Sequence, residues 1–334
     1  MHVLVTGANG FVGAMLCRKL SEQRHKVRGM VRKTSDLSLL EGVKMERCLG
    51  SLEDRESLAK ACEGAQVVFH AASAVSDWGT IVSFRKAIVD GTQNLLEAAL
   101  RAGVKRFVYV SSVAVHSFID AQDMTEESPQ LPIPFPYGRV KREAEDLVMR
   151  YHDLKGMEIV IVRPGDVYGP GDRVTLLKMA KRLERGKMML MDQGRTLGAF
   201  TYVENLADGL ILAGTKTAAS GETFVITDGV KMSWAEYFKK LTKALGVPPV
   251  TASVSSGMAS AAAVILEFLY GLLRVSQRPL VTRFLAAHIK GDFHFSIDKA
   301  RRLLGYEPAV GVDQAVRRTA EWYIGVVRGG GSSE

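Results

Sequence analysis

The sequence predicts an α/β fold, a doubly wound and mostly parallel sheet with a smaller C-terminal α/β region, and three observations carry that prediction. Short apolar runs alternate with apolar-periodic helical stretches from the first residues to about residue 165. A glycine-rich turn joins the first apolar run to the first helix. Late in the alternation, Tyr137 and Lys141 stand four residues apart, about one helical turn. The 334 residues are enough to bury a substantial core, as one large domain or two small ones.

Composition sets the outer bounds. Hydrophobic residues are 47% and charged residues 24%, ordinary for a globular protein. Lys plus Arg number 44 against 36 Asp plus Glu, a net charge of +8. The cations are scattered and no nucleic-acid motif accompanies them, so they point to anionic ligands or membrane surfaces rather than to nucleic acid. Cys17, Cys48 and Cys62 lack C-x-x-C spacing. That excludes a disulfide framework or zinc site and fits a reducing cytosol, hence a cytoplasmic location without a bound metal. Strand-like sequence begins at His2, so no signal peptide is expected.

The apolar run 2–6 reads as a buried parallel strand. Gly7-Ala8-Asn9-Gly10-Phe11-Val12-Gly13 follows, opening a helix over about residues 11–23. Glycine permits the tight turn, lets backbone amides approach a pyrophosphate and allows close helix–strand packing. The phosphate then sits at the positive end of the helix. After a strand and before a helix, this is the dinucleotide signature of a Rossmann-type sheet. Gly7, Asn9, Gly10, Phe11, Val12 and Gly13 are its candidate contacts.

The second strand, 26–31, ends at Arg32, which is 32 − 13 = 19 residues past Gly13. An acidic residue at that spacing would hold a ribose 2′-hydroxyl, whereas a guanidinium grips a 2′-phosphate. The prediction is NADP(H) in preference to NAD(H), with Asp36 leaving room for NAD(H). Ser51 and Leu52, after a third strand near 43–48, should pass beside the adenine. The fourth strand ends in His70, read as structural, and Ala71, Ala72 and Ser73 let the exit loop approach the cofactor. Trp78 is placed to wall a substrate pocket. A packed helix is expected over about 84–102. The fifth strand, 106–110, leads to Ser112, 137 − 112 = 25 residues ahead of Tyr137. A hydroxyl at that sheet edge points into the ligand crevice. Pro129, Pro132, Pro134 and Pro136 stiffen the entry into the Tyr137 helix.

Beyond residue 165 the alternation weakens and the substrate-binding part should begin. Residues 173–187 read as a basic helix with a solvated face. Residues 200–203 return the chain to the cofactor side and bring Tyr202 near the pocket, before a strand at 222–227. Residues 234–245 form an amphipathic helix ended by Gly246. Residues 258–273 are the most apolar run, with Glu267 the sole charge. They fall short of the ~20 residues that span a bilayer. The first reading is a wall of an apolar pocket, ahead of a helix dipping into a membrane interface and of a span. Arg274, Arg278, Arg283 and Lys290 follow. In outline, 1–165 is the dinucleotide-binding domain, revisited at 199–227. Residues 166–198 and 228–328 form the substrate-binding region, and 329–334 a flexible tail.

Taken together, Thr6-Gly7-x-x-Gly10-x-x-Gly13, Ser112, Tyr137-x-x-x-Lys141 and the 163–172 stretch Arg-Pro-Gly-Asp-Val-Tyr-Gly-Pro-Gly-Asp resemble the extended short-chain dehydrogenases/reductases over residues 1 to about 325. Asp77-Trp78-Gly79, the 201–207 stretch and the Ser296–Pro308 motif look like the 3β-hydroxysteroid dehydrogenase and sterol-4-carboxylate dehydrogenase branch, near the dihydroflavonol-reductase-like enzymes. The resemblance implies that Tyr137 is the general acid or base. An unperturbed tyrosine titrates near 10, and the Lys141 cation should favour its phenolate. It implies that Lys141 holds ribose hydroxyls, that Ser112 orients the substrate oxygen, and that Pro164 and Val167 pack beside the nicotinamide. Trp78, Val113, His116, Tyr168 and Tyr202 complete the expected substrate pocket. One departure stands out. Many extended members carry Asn two residues ahead of the position held here by Asp90, and this chain has Ile88. A water relay through that Asn is not expected.

The expected activity is NAD(P)-dependent interconversion of a secondary alcohol and a ketone on a bulky apolar small molecule, steroid-like or lipid-like. The stretches expected to line the pocket, with Trp78, Phe118, Phe200, Tyr202 and the 258–273 run, carry few charges. The alternatives are a nucleotide-sugar epimerase or dehydratase and a non-enzymatic dinucleotide-binding scaffold. Peripheral membrane contact through 258–283 and, by resemblance, a homodimer through 84–102 and 137–153 are the expected associations.

Overall fold

A computed structural model describes residues 1–118, 120–129, 131–273, 275 and 277–328. Arg274 and the 329–334 tail lie outside the described residues. Seven parallel strands form the central sheet: His2–Thr6, Lys26–Val31, Glu46–Leu49, Val67–His70, Arg106–Val110, Glu158–Pro164 and Thr223–Ile226. Their spatial order is seven, six, five, four, one, two, three. The order reverses at the first strand, and a crevice opens there at the C-terminal strand ends.

Alternate side chains of each strand face opposite layers. Val3, Val5 and Val108 pack with Leu16, Leu20, Leu206 and Leu210 on one face. Leu4, Phe107 and Tyr109 pack with Leu95, Val140 and Val148 on the other. Helices cover both faces, which is why the strand sequences run apolar without a polar alternate. The Val203–Thr215 helix lies beside the Phe11–Glu22 helix, tied by Lys19 Nζ to Asp208 Oδ2 at 2.6 Å.

The later chain adds a second packed cluster around Tyr168, Phe200, Tyr202, Tyr237 and Tyr323. Asp166–Tyr168 pairs with Phe200–Tyr202 in parallel, outside the main sheet. The Trp234–Leu245 helix starts from a capping box of Ser233 and Glu236 and ends on left-handed Gly246.

Two expectations change here. The helix over 84–102 is not uniform: α-helical Ile81–Arg85 and Gly91–Arg101 flank a π-helical turn at Lys86–Asp90. The Ser256–Leu272 helix does not wall a pocket with its large side chains, because it turns its small ones inward and leaves Met258, Ile265, Phe268 and Leu272 exposed. Among the described residues no helix is long and apolar enough to cross a membrane.

Candidate active site

The glycine turn is built by close approach. Gly7 is left-handed, and a Cβ there would stand 2.8 Å from Ala72 Cα. A Cβ on Gly13 would lie 2.1 Å from the Gly7 carbonyl oxygen. The helix begins after Gly10 with no side-chain cap, so its first amides face the crevice. In the strand-four exit loop, Ser73 Oγ is buried without a hydrogen-bond partner. A glycine cradle that a Cβ would fill, an uncapped helix start and an orphaned hydroxyl together fit a dinucleotide pyrophosphate.

Leu52 rests against Gly91, where a Cβ would come within 3.1 Å, and its carbonyl accepts from Asn94 Nδ2 at 2.9 Å. The Ser51 amide donates to Ser57 Oγ at 3.2 Å. Arg32 is exposed at the end of the second strand. Asp36 is engaged elsewhere: its carboxylate accepts from Ser38 Oγ at 2.6 Å and pairs with Arg173. Those contacts hold its carboxyl below the usual carboxylate range, Ser38 most and Arg173 less. Gly165 lets the chain at Pro164–Val167 pass against Ala199, whose oxygen a Cβ would meet at 1.9 Å.

Ser112, Tyr137 and Lys141 come together beyond the fifth strand. Pro136 opens the Pro136–Lys155 helix, where its missing N–H costs nothing. Gly138 then lets that first turn press on the Val113–His116 3-10 turn, since a Cβ would meet the Ala114 oxygen at 2.6 Å. This contact carries Tyr137 to Ser112, with which it shares a hydrogen bond. Ser112 Oγ also accepts the Ala114 amide at 3.2 Å. Lys141 Nζ donates to the Val110 carbonyl at 2.9 Å and to Tyr109 Oη at 3.5 Å. It sits 5.0 Å from the Tyr109 ring centroid.

Burial sets the electrostatics. It pulls Lys141 down to about 7, against the pull of Glu145. It pushes Tyr137 up to about 12, against the Ser112 hydrogen bond. The protein's own groups therefore move the phenol opposite to the expected direction. An ammonium this deeply buried is itself hard to keep charged, and so does little for a phenolate. Phe84 and Phe284 stack edge-on to Tyr137, with centroids at 6.0 and 6.3 Å. Phe118 and Phe135 back Phe284 at 4.7 and 5.4 Å.

His70 is structural, as expected. Its ring nitrogens meet Thr6 Oγ1 at 2.7 Å and Thr92 Oγ1 at 3.0 Å, and burial pulls it down to about 3. Thr92 Oγ1 donates to the Ile88 carbonyl at 2.5 Å, within the π-helical turn.

Four of the expected pocket residues are buried in packed surroundings. Tyr202 is fully buried, its amide bound by the Asp228 carboxylate and its hydroxyl by Glu204. Tyr168 is buried with it and donates to Asp228 Oδ2 at 3.1 Å. Val113 packs on Phe293 and Phe295. His116 lies 2.9 Å from Arg163 Nη1, within a buried ion pair of Arg163 and Glu145 at 2.6 Å. Each is held by its own partners: Tyr168 and Tyr202 by Asp228 and Glu204, His116 by Arg163, and Val113 by the Phe293 and Phe295 rings. Trp78 is half-buried and stands edge-on to Tyr270, with ring centroids 6.4 Å apart.

The sequence of residues 3–227 matches the family model described as NAD dependent epimerase/dehydratase family. The chain belongs to that family. The chain is similar to the 2-alkyl-3-oxoalkanoate reductase of Stenotrophomonas maltophilia, 32% identical over 95% of this chain and 98% of the relative. The 3-beta-hydroxysteroid dehydrogenase of Mycolicibacterium neoaurum is 31% identical, over 96% of this chain and 91% of the relative. The crystal structure of gox2253 superimposes with a TM-score of 0.81 at 31% identity and 99% coverage of both chains. The chain is thus an extended short-chain dehydrogenase/reductase with reductase and hydroxysteroid-dehydrogenase relatives.

Within this epimerase/dehydratase scaffold, one pair escaped the sequence reading. His288 Nε2 lies 2.8 Å from Asp166 Oδ1, while His288 Nδ1 is buried without a partner. Phe284, one helical turn earlier, stacks on the His288 ring and roofs Tyr137. Phe284 and His288 are four apart in the Arg283–Lys290 helix, a visible signal. The partnership with Asp166, 122 residues away, leaves no local trace.

Proposed function

We propose that this chain interconverts a ketone and a secondary alcohol on a bulky apolar small molecule, using NADP(H) in preference to NAD(H). The observation that carries the reading is Ser112, Tyr137 and Lys141 side by side beneath the aromatic roof of Phe84 and Phe284. Residues 1–165 with 199–227 would hold the dinucleotide, and 166–198 with 228–328 the substrate. Gly7, Gly10 and Gly13 would admit the pyrophosphate, Arg32 the 2′-phosphate, and Lys141 the nicotinamide ribose. Commitment of Asp36 to Arg173 supports the 2′-phosphate assignment. When bound, the nicotinamide supplies or accepts the hydride.

Ser112 Oγ accepts the Ala114 amide and hydrogen-bonds Tyr137, so its hydroxyl sits beside the phenol where a substrate oxygen would meet both. Tyr137, with its hydroxyl pushed up to about 12, is protonated at neutral pH and suited to give a proton to a ketone oxygen as it gains charge. Lys141, one helical turn from Tyr137, is anchored on the Val110 carbonyl. Trp78, Phe118, Phe135 and Phe284 offer an apolar mouth with the His288–Asp166 pair as its polar contact.

The test is NADPH consumption with a panel of 3-oxosteroids and 2-alkyl-3-oxoalkanoates, chosen from the relatives' substrates. Tyr137→Phe should lower kcat/KM by about 10²–10⁴ while leaving the unfolding midpoint and NADPH binding intact. Turnover of a UDP-sugar with no net dinucleotide consumption would favour the epimerase alternative. A fully active Tyr137→Phe variant would overturn the assignment of the acid.

A further inference from the structure

Buried polar atoms that meet no partner are rare in folded chains, and each calls for an explanation. Among the described residues, two such atoms belong to neighbouring side chains. His288 Nδ1 and Trp234 Nε1 are both buried without a hydrogen-bond partner. Their ring centroids stand 6.0 Å apart, with the planes at 77°. The His288 side chain is 11% exposed. Phe118 and Phe293 meet its ring edge-on at 4.7 and 5.5 Å, and Phe200 packs on Trp234 at 4.8 Å. An unpaired polar group in such surroundings costs about 1–3 kcal/mol, so two together are an anomaly unless something else binds them.

The imidazole is fixed from its other side. Asp166 Oδ1 takes His288 Nε2 at 2.8 Å, and Asp166 Oδ2 accepts the Ala199 amide at 3.2 Å. The Asp166 amide donates to the Ala199 carbonyl at 2.6 Å. An ionised carboxylate only accepts, so the imidazole proton lies on Nε2 and Nδ1 presents a lone pair. An indole N–H only donates. One orphan is thus an acceptor and the other a donor. The cluster adjoins the reacting groups. Phe284 touches both, its centroid 6.3 Å from Tyr137 and 6.4 Å from His288. Phe118 follows the Val113–His116 turn that Ser112 caps. Phe118, Trp234 and Phe284 are each half-buried, which places the cluster at the edge of the core rather than within it.

We propose that His288 Nδ1 and Trp234 Nε1 form a subsite for a second oxygen of the substrate, a hydroxyl remote from the carbon that exchanges hydride. A hydroxyl donates to Nδ1 and accepts from the indole N–H, so it satisfies both orphans and brings in no charge. A ketone oxygen would satisfy the indole alone. A carboxylate would stand as a second buried anion close to Asp166, with one imidazole between the two. The inference rests on the ketone–alcohol reading of Ser112, Tyr137 and Lys141, and it gives that reading a substrate class: apolar ketones that carry a further hydroxyl. His288 and Trp234 select the substrate and take no part in moving the hydride or the proton.

The test uses the full-length protein with three matched 3-oxosteroids that bear a distal hydroxyl, a hydrogen in its place, or a carboxylate. With NADPH, kcat/KM for the hydroxylated compound should exceed that for the deoxy compound at least about tenfold, mainly through KM. His288→Phe and Trp234→Phe keep a ring in each place; each should shrink that ratio, and the double variant should bring it to about one. A ratio taken within one variant cancels any general loss of activity. Binding with NADP+ gives a second readout. The indole proton of Trp234, identified in the NMR spectrum by its loss in Trp234→Phe, should move downfield with the hydroxylated steroid and not with the deoxy one. That response without turnover would uphold the subsite and overturn the ketone-reduction reading. Equal treatment of the hydroxylated and deoxy compounds in both readouts, or binding of none of the three, overturns the subsite. A preference for the carboxylate that His288→Phe abolishes overturns the hydroxyl assignment in favour of an anion.

Discussion

Replacing Lys141 by methionine should change how stability depends on pH, and the structure sets the size of the change. Lys141 is 2% exposed, and burial brings its ammonium from the ordinary 10.5 to about 7. That difference corresponds to about 5 kcal/mol of disfavoured charge. Between those two values the unfolded chain binds one proton more than the folded one, so stability rises with pH across the window. The contribution is complete above 10.5 and is lost as pH falls through about 7. From about pH 6 to about pH 9 the wild-type protein should gain about 2–3 kcal/mol from this group alone. Lys141→Met cannot make that gain. The variant also leaves the Val110 carbonyl without its 2.9 Å donor, a loss of about 1–3 kcal/mol that does not depend on pH. Urea unfolding of both proteins at several pH values, without added dinucleotide, isolates the titration as a difference of differences. Parallel profiles, within about 0.5 kcal/mol across the range, would refute a buried and displaced ammonium.

Three further outcomes follow from named contacts. Gly13→Ala places a Cβ 2.1 Å from the Gly7 oxygen, so the turn must open; NADPH affinity, read by fluorescence titration, should fall at least about tenfold. Arg32→Ala should weaken NADPH by about 10–100-fold, the worth of one charged hydrogen-bonding partner, and leave NADH unmoved. Equal loss for both would place Arg32 away from the 2′-phosphate. Glu145→Gln breaks the buried pair with Arg163 and should cost about 3–5 kcal/mol in urea titrations, whereas a loss below about 1 would show the pair to be slack.

Local signals served the dinucleotide side of the fold well. Gly7, Gly10 and Gly13 had to be glycine for reasons readable in sequence, since a tight turn between strand and helix leaves no space for a Cβ. Ser112 and Tyr137 were legible because a strand end and a proline-started helix project side chains to known places. The substrate side was less legible. Tyr168 and Tyr202 look like pocket aromatics, yet both are fixed by Asp228, whose reach across the chain has no periodic signature. The 258–273 run was hydrophobic enough to read as interior. Its orientation depends on Ala259 and Ala263, the small residues that let the helix lie close with its large side chains outward. The direction of the Tyr137 displacement was missed because proximity to a lysine was visible and the burial of that lysine was not.

The π-helical turn at Lys86–Asp90 works as a phase adjuster. One residue of an α-helix sweeps about 100° around the axis. A turn that absorbs an extra residue lets the two flanking α-helical segments keep independent angular settings. Ahead of it, Phe84 is aimed at Tyr137; behind it, Gly91 lies flat against Leu52. A regular helix of the same length could satisfy one of those neighbours and would miss the other by about a quarter turn. The Phe84–Tyr137 contact and the Gly91–Leu52 contact are thereby kept in mutual alignment by a single irregular coil, clamped through the Thr92 hydroxyl on the Ile88 carbonyl.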